Sequence, residues 1–226
     1  ELDFEILSLD LPGHGFTKAL TRQKKQLKNI VDQIYNLLQE INFIPEIILG
    51  HSAGAVIAYE LAKKLENSPY TVAINAAFGQ FSGLAGVAFP YFAKIAAATT
   101  IPARLLTLLA NKQDLVQKLL SGTGSTIPRE QIRCYQYLFT SPDHVDGTLQ
   151  MMADWELGDF LDQLPRDTSP IHFFVGEKDK TVPSHISHSW ARVISNSRLT
   201  ECKGLGHLMH EEDPRTVSSI LKTSFN

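Results

Sequence analysis

The pentapeptide Gly50-His51-Ser52-Ala53-Gly54 stands between a short wholly apolar run, Ile47-Ile48-Leu49, and a stretch from Ala53 to Leu65 with helical apolar spacing. A strand that is apolar at successive positions is covered on both faces, as in a parallel sheet, and a helix must then carry the chain back across that sheet. Much of the sequence repeats this alternation. Phe4 to Leu9 reads as a strand closed by the turn Pro12-Gly13-His14-Gly15. Leu27, Ile30, Val31, Ile34, Leu37, Leu38 and Ile41 recur at three and four, which predicts an amphipathic helix over 21–41. Thr71 to Phe78 reads as the next strand. The alternation resumes with a strand at Ile171 to Val175, a helix over Ser184 to Ile194, a strand at Arg198 to Cys202 and a helix from Pro214 to Lys222.

Between these halves, residues 79–164 hold helical runs and loops with no convincing strand. Compact domains do not carry structureless connections of that length, so the stretch reads as a helical cap. The predicted architecture is α/β: a mostly parallel sheet flanked by helices, with a core of 1–78 and 165–226 and a cap insertion at 79–164. The chain starts at Glu1 and enters a strand pattern at once, from which the expectation is that N-terminal strands are missing from it.

Composition narrows the classes. With 226 residues, 43% hydrophobic and 20% charged, there is material for one sizeable core, and disordered and fibrous classes drop out. The net charge is −3, and the short basic cluster Lys24, Lys25, Lys28 reads as the solvated face of a helix, so no nucleic-acid partner is expected. Cys134 and Cys202 lack metal-ligand or redox spacing and read as reduced thiols, with no metal site. The most apolar stretch, Phe81 to Ala110, is broken by Pro90, Lys94 and Pro102. It therefore lacks the uninterrupted run of about 20 residues that crosses a bilayer. It suits helices over a greasy pocket, with peripheral membrane contact or a plain buried helix as the alternatives. No signal-peptide pattern is present in these residues, and the compartment expected is cytoplasmic.

A serine on a sharp strand-to-helix turn is raised above the sheet at the positive end of the following helix. Glycines on either side are expected to let strand and helix close together, and the Ala53 N–H would offer one donor to an oxyanion. The hydroxyl is a poor nucleophile without a base, and the base needs an orienting acid. His207, in "GLGHLMHEEDP", lies on a Gly-flanked loop between the last strand and the last helix. Asp179, in "FFVGEKDKTVP", follows a buried strand's carboxyl end, where open parallel sheets gather their sites. Glu177, Asp154 and Glu156 are alternative acids, and His210 is an alternative base. His51 and His14 are expected to line the pocket; His144, His172, His185 and His188 read as structural or solvated. Gly122-Thr123-Gly124-Ser125 faintly matches a phosphate cradle but lacks the following Lys and the preceding strand, and is read as a cap turn.

"DLPGHGFT", "GHSAGA", "GEKDKTVP" and "GLGHLMHEEDP" resemble the four signature blocks of the α/β-hydrolase superfamily and span nearly the whole chain. Within it, "SGTGS" (121–125) and "MMADWEL" (151–157) resemble the magnesium-chelatase accessory proteins of bacteriochlorophyll synthesis. The resemblance implies the α/β-hydrolase fold, Ser52 as nucleophile, Asp179 as acid, His207 as base, Ala53 as an oxyanion donor, and no cofactor. In that superfamily a second oxyanion donor comes from a His-Gly loop ahead of the "DLPGHG" block, and only Glu1 to Leu9 precede it here. Two functions are implied. One is a serine hydrolase with esterase-like action on a small lipophilic substrate. The other is a non-catalytic accessory protein that binds a tetrapyrrole or a chelatase component. The ordered Ser, Asp and His favour the first, and Ser52 at the elbow disfavours a halide-releasing enzyme, which uses a carboxylate there.

Overall fold

The computed structural model describes residues 4–18, 26–79, 104, 107 and 113–225. Among these residues the sheet has four parallel strands in the order β1-β2-β3-β4: β1 Ile47–His51, β2 Tyr70–Ile74, β3 Ile171–Gly176 and β4 Ser197–Cys202. Helices α1 (Leu27–Glu40) and α2 (Ala53–Lys64) belong to the first half. Among the described residues, the helices with defined bounds between β2 and β3 are α3 Gln113–Gly122, α4 Arg129–Phe139, α5 Pro142–Ala153 and α6 Gly158–Gln163. A 3-10 turn at Leu164–Arg166 leads into β3; α7 (Ser184–Val193) joins β3 to β4, and α8 (Met209–Glu212) and α9 (Pro214–Phe225) close the chain. The α/β reading of the sequence agrees with this, and no strand occurs between β2 and β3 among the described residues.

Side-chain alternation sorts the core onto the two faces of the sheet. Ala73, Ile171, Phe173 and Val175 point to one face, where they pack with Ala55, Val56 and Tyr59 of α2, Phe160 of α6 and Ile194. Val72, Ile74 and Phe174 point to the other, against Met209 and Val217. Every residue of β3 is buried. Each large apolar side chain hidden there contributes about 1.5–3 kcal/mol relative to leaving it in water, so the two central strands anchor the fold. The α1 stripe of Ile30, Val31 and Leu38 packs on Ile57, Leu61 and Leu65.

Four expectations need correction. Phe4 to Leu9 forms no strand; it is exposed and irregular, because among the described residues no ladder pairs with it. β1 is not covered on both faces, since Leu49 is 47% exposed, and among the described residues it stands at one edge of the sheet. β2 stops at Ile74 rather than Phe78, because Asn75 adopts a left-handed φ of 45° that breaks the ladder. A short helix, α8, was not expected after His207. The predicted helix start at Thr21, with Lys24 and Lys25, and the apolar stretch 81–110 apart from residues 104 and 107, lie outside the described residues. Lys28 is exposed on α1. Among the described residues no helix is long and apolar enough to cross a membrane.

Candidate active site

The site lies beyond the carboxyl ends of the four parallel strands, where Ser52 follows β1, Asn75 follows β2, Asp179 follows β3 and His207 follows β4. Ser52 has φ 54° and ψ −118°, a backbone conformation that non-glycine residues seldom hold. The surroundings keep it there. Its N–H donates to Ile74 O at 2.9 Å, and its carbonyl accepts from Ala55 N–H and Ala77 N–H at 3.1 Å each. Only glycine fits at position 50, since a Cβ there would stand 2.2 Å from the Gly54 carbonyl oxygen. Gly54 differs: nothing lies within 4 Å of a Cβ built on it, so the expectation that both glycines are sterically required holds for Gly50 alone. Ala53 opens α2, and its N–H is one of the first-turn donors that a helix leaves without an internal partner.

Asp179 and His207 are brought together. His207 Nδ1–H donates to Asp179 Oδ2 at 2.8 Å, with the two side chains 7% and 0% exposed. The other carboxylate oxygen, Oδ1, accepts from the N–H groups of Thr181 at 2.7 Å and Val182 at 2.9 Å. Asp179 is thereby an acceptor at both oxygens, and its bond to Nδ1 leaves Nε2 of His207 with the lone pair. Among the described residues neither that nitrogen nor the Ser52 hydroxyl has a hydrogen-bond partner. Such bonds commonly tighten only when substrate is present.

Two residues lock the His207 carbonyl. His51 Nε2–H donates to it at 2.8 Å, and so does Asn75 Nδ2 at 2.8 Å. Asn75 Nδ2 also donates to Gly206 O at 3.0 Å, while its Oδ1 accepts from Gly176 N–H at 2.8 Å. One buried amide thus ties the acid loop to the base loop. Sequence reasoning passed over Asn75; the available signal was a polar residue ending an otherwise buried strand. The His51 ring sits 4.5 Å from that of His207 and 4.6 Å from that of His210. Burial, reinforced by those two imidazoles, holds the His51 pKa well below the usual histidine range, so it stays neutral. Burial also lowers His210.

The alternatives make other contacts. Glu177 is exposed and its Oε2 accepts from Gly204 N–H at 2.7 Å. Asp154 caps the carboxyl end of α5, and Glu156 is exposed. His210 Nε2 lies 3.8 Å from Glu211 Oε1. The His14 ring meets that of His144 edge-on at 5.6 Å, and His144 Nδ1 accepts from Gly15 N–H at 3.0 Å. His172 pairs with Thr200 Oγ1 and His188 with Glu201, both at 2.8 Å; His185 is exposed. Cys134 is exposed and Cys202 buried, both as free thiols. Gly122 ends α3, and Thr123 to Ser125 form a turn that lies against the acid and base loops.

This arrangement can be set beside known proteins. The sequence profile of the alpha/beta hydrolase family matches residues 1–220. The chain belongs to the alpha/beta hydrolase family. One relative, the "Magnesium-chelatase 30 kDa subunit" of Rhodobacter capsulatus, is 39% identical over 96% of this chain and 76% of its own length. Among solved structures, MenH from S. aureus superposes with a TM-score of 0.73 at 18% identity, over 95% of this chain and 80% of its own. An esterase from Exiguobacterium antarcticum gives 0.70 at 18%, over 95% and 79%. At such identities these two structures speak for the alpha/beta hydrolase fold alone.

Proposed function

We propose that this alpha/beta hydrolase is a serine hydrolase that cleaves esters of small lipophilic acyl compounds. The observation that carries the reading is the pairing of a strained Ser52 at a strand-to-helix elbow with a buried Asp179–His207 hydrogen bond at the same end of the sheet. A binding protein has no physical need for both. In the reaction, Ser52 Oγ attacks the acyl carbon as His207 Nε2 takes its proton. The tetrahedral oxyanion is stabilised by the Ala53 N–H and the positive end of α2. Collapse expels the alcohol, which receives the proton from His207. Water then repeats both steps on the acyl-enzyme and releases the acid, and Asp179 holds the imidazole in the required tautomer throughout. The sequence reads residues 79–164 as a cap, and their apolar composition favours a lipophilic ligand.

A second reading rests on the relative named as a magnesium-chelatase subunit. Here the chain is an accessory protein that binds a chelatase component or a tetrapyrrole, and the pocket serves recognition.

The test is covalent labelling with a fluorophosphonate probe, which needs an activated serine and no knowledge of the substrate. Labelling is expected in the natural chain and lost in Ser52→Ala and His207→Ala. Absence of labelling in the folded natural chain would overturn the hydrolase reading in favour of the binding one.

A further inference from the structure

The turn between α3 and α4 touches the chain on both sides of Asp179 and on both sides of His207. On the acid side, Thr123 O accepts from Lys180 N–H at 3.1 Å. Gly124 has φ +87°, and a Cβ on it would stand 2.0 Å from Lys178 O. On the base side, Ser125 is 4% exposed and its Oγ accepts from Leu208 N–H at 2.8 Å. A Cβ on Gly206 would stand 2.4 Å from Gly124 O. Glu212 completes the junction: Oε1 accepts from Gly206 N–H at 2.7 Å, and Oε2 accepts from Thr126 N–H at 3.0 Å.

The acid and base loops leave different strands, so the Asp179–His207 distance depends on whatever fixes one loop against the other. Lys178 N–H bonds directly to Leu205 O at 2.8 Å, and Asn75 ties the loops from beneath. The turn closes the remaining side. A buried hydroxyl such as that of Ser125 is tolerated only when it is hydrogen-bonded, and its bond is to the backbone of the residue that follows His207. Gly124 permits the approach because its backbone angle suits glycine and any Cβ would strike the acid loop.

We propose that the 123–126 turn is a positioning brace for the Asp179–His207 pair, with Gly124 and Ser125 acting through the loops rather than on a substrate. The inference rests on the reading of Asp179 and His207 as acid and base. It also makes the geometry of that pair dependent on the helical segment between β2 and β3, since the turn directly continues α3.

The experiment compares the full chain with Ser125→Ala, Ser125→Thr, Glu212→Gln and, as a control on the exposed face of α4, Cys134→Ser. Two readouts are taken: the rate constant of fluorophosphonate labelling, and the proton resonance of the His207 Nδ1–H by NMR. In Ser125→Ala, labelling is expected to slow about ten- to hundredfold, and the resonance to shift or broaden. Ser125→Thr keeps the hydroxyl and is expected to restore both; Cys134→Ser is expected to match the natural chain. In Glu212→Gln, which loses one acceptor, labelling is expected to slow about threefold or more. Native rates and an unmoved resonance in Ser125→Ala and Glu212→Gln would overturn the brace. If Ser125→Ala does not fold, Glu212→Gln decides by the same criteria. If the natural chain is not labelled, the hydrolase reading fails on its own, and the resonance in the variants still decides the brace.

Discussion

At the scale of single residues, the elbow makes an asymmetric demand on its two glycines. A Cβ at position 50 has a backbone carbonyl 2.2 Å away, and that carbonyl belongs to the helix Ser52 caps, so it cannot swing aside. Gly50→Ala is therefore expected to destabilise the protein by about 1–3 kcal/mol and to slow labelling of Ser52. At position 54, inside α2 with open space around it, alanine removes backbone freedom from the unfolded chain and adds helix propensity. Gly54→Ala is expected to stabilise by about 0.5–1 kcal/mol. Urea denaturation midpoints of the two variants should move in opposite directions; a shared direction would contradict the steric account.

At the scale of elements, the short helix α6 shows how one side chain attaches a segment. Phe160 is its only buried residue. Its ring packs edge-on to Phe78 at 4.9 Å and to Tyr59 at 6.2 Å, and Phe78 in turn meets Phe173 of β3 at 5.5 Å. Phe160→Ala removes that anchor and is expected to lower stability by about 3–5 kcal/mol. Native-state hydrogen exchange should show α6 opening more often, with β3 amides retaining the strongest protection. Loss of protection spread evenly over both would argue that α6 does not depend on this ring.

Among the elements, those with a strong internal pattern were legible in the sequence. α2, β3 and β4 fall within a residue or two of their expected ranges, since a helical stripe or a buried run is written locally. Phe4 to Leu9 has a strand's pattern without a strand's partners, and hydrogen-bonded pairing is a property of two segments, not one. The end of β2 and the one-turn helix α8 turned on backbone angles that the residue types permit without requiring.

At the scale of the whole molecule, four histidines carry pKa values below their usual range, each with burial as the leading cause: His51, His144, His172 and His210. The unfolded chain takes up protons on these groups near pH 6.5 or about there, while the folded chain resists until lower pH. Below that value the unfolded state binds more protons, so stability is full above it and declines as pH falls. The urea midpoint is expected to be lower at about pH 5.5 than at about pH 7.5, and the substitution His172→Phe, which removes one of these buried titrating groups, should flatten the dependence. A midpoint independent of pH across that window would contradict this.

Local chemistry alone determined the α/β alternation and placed Ser52, Asp179 and His207 at strand ends, while four motif blocks carried the resemblance to the family. The spacing of apolar side chains and the Gly-Ser-Gly turn are readable wherever they occur. Only the tertiary structure decided which of these residues meet. The selection of Asp179 over Glu177 as partner of His207, the Asn75 amide spanning two loops, and the placement of Gly124 and Ser125 against both all join segments far apart in the chain. Contacts of that kind depend on how four strands register against one another and on which backbone groups that register leaves facing, and no window of sequence contains that information.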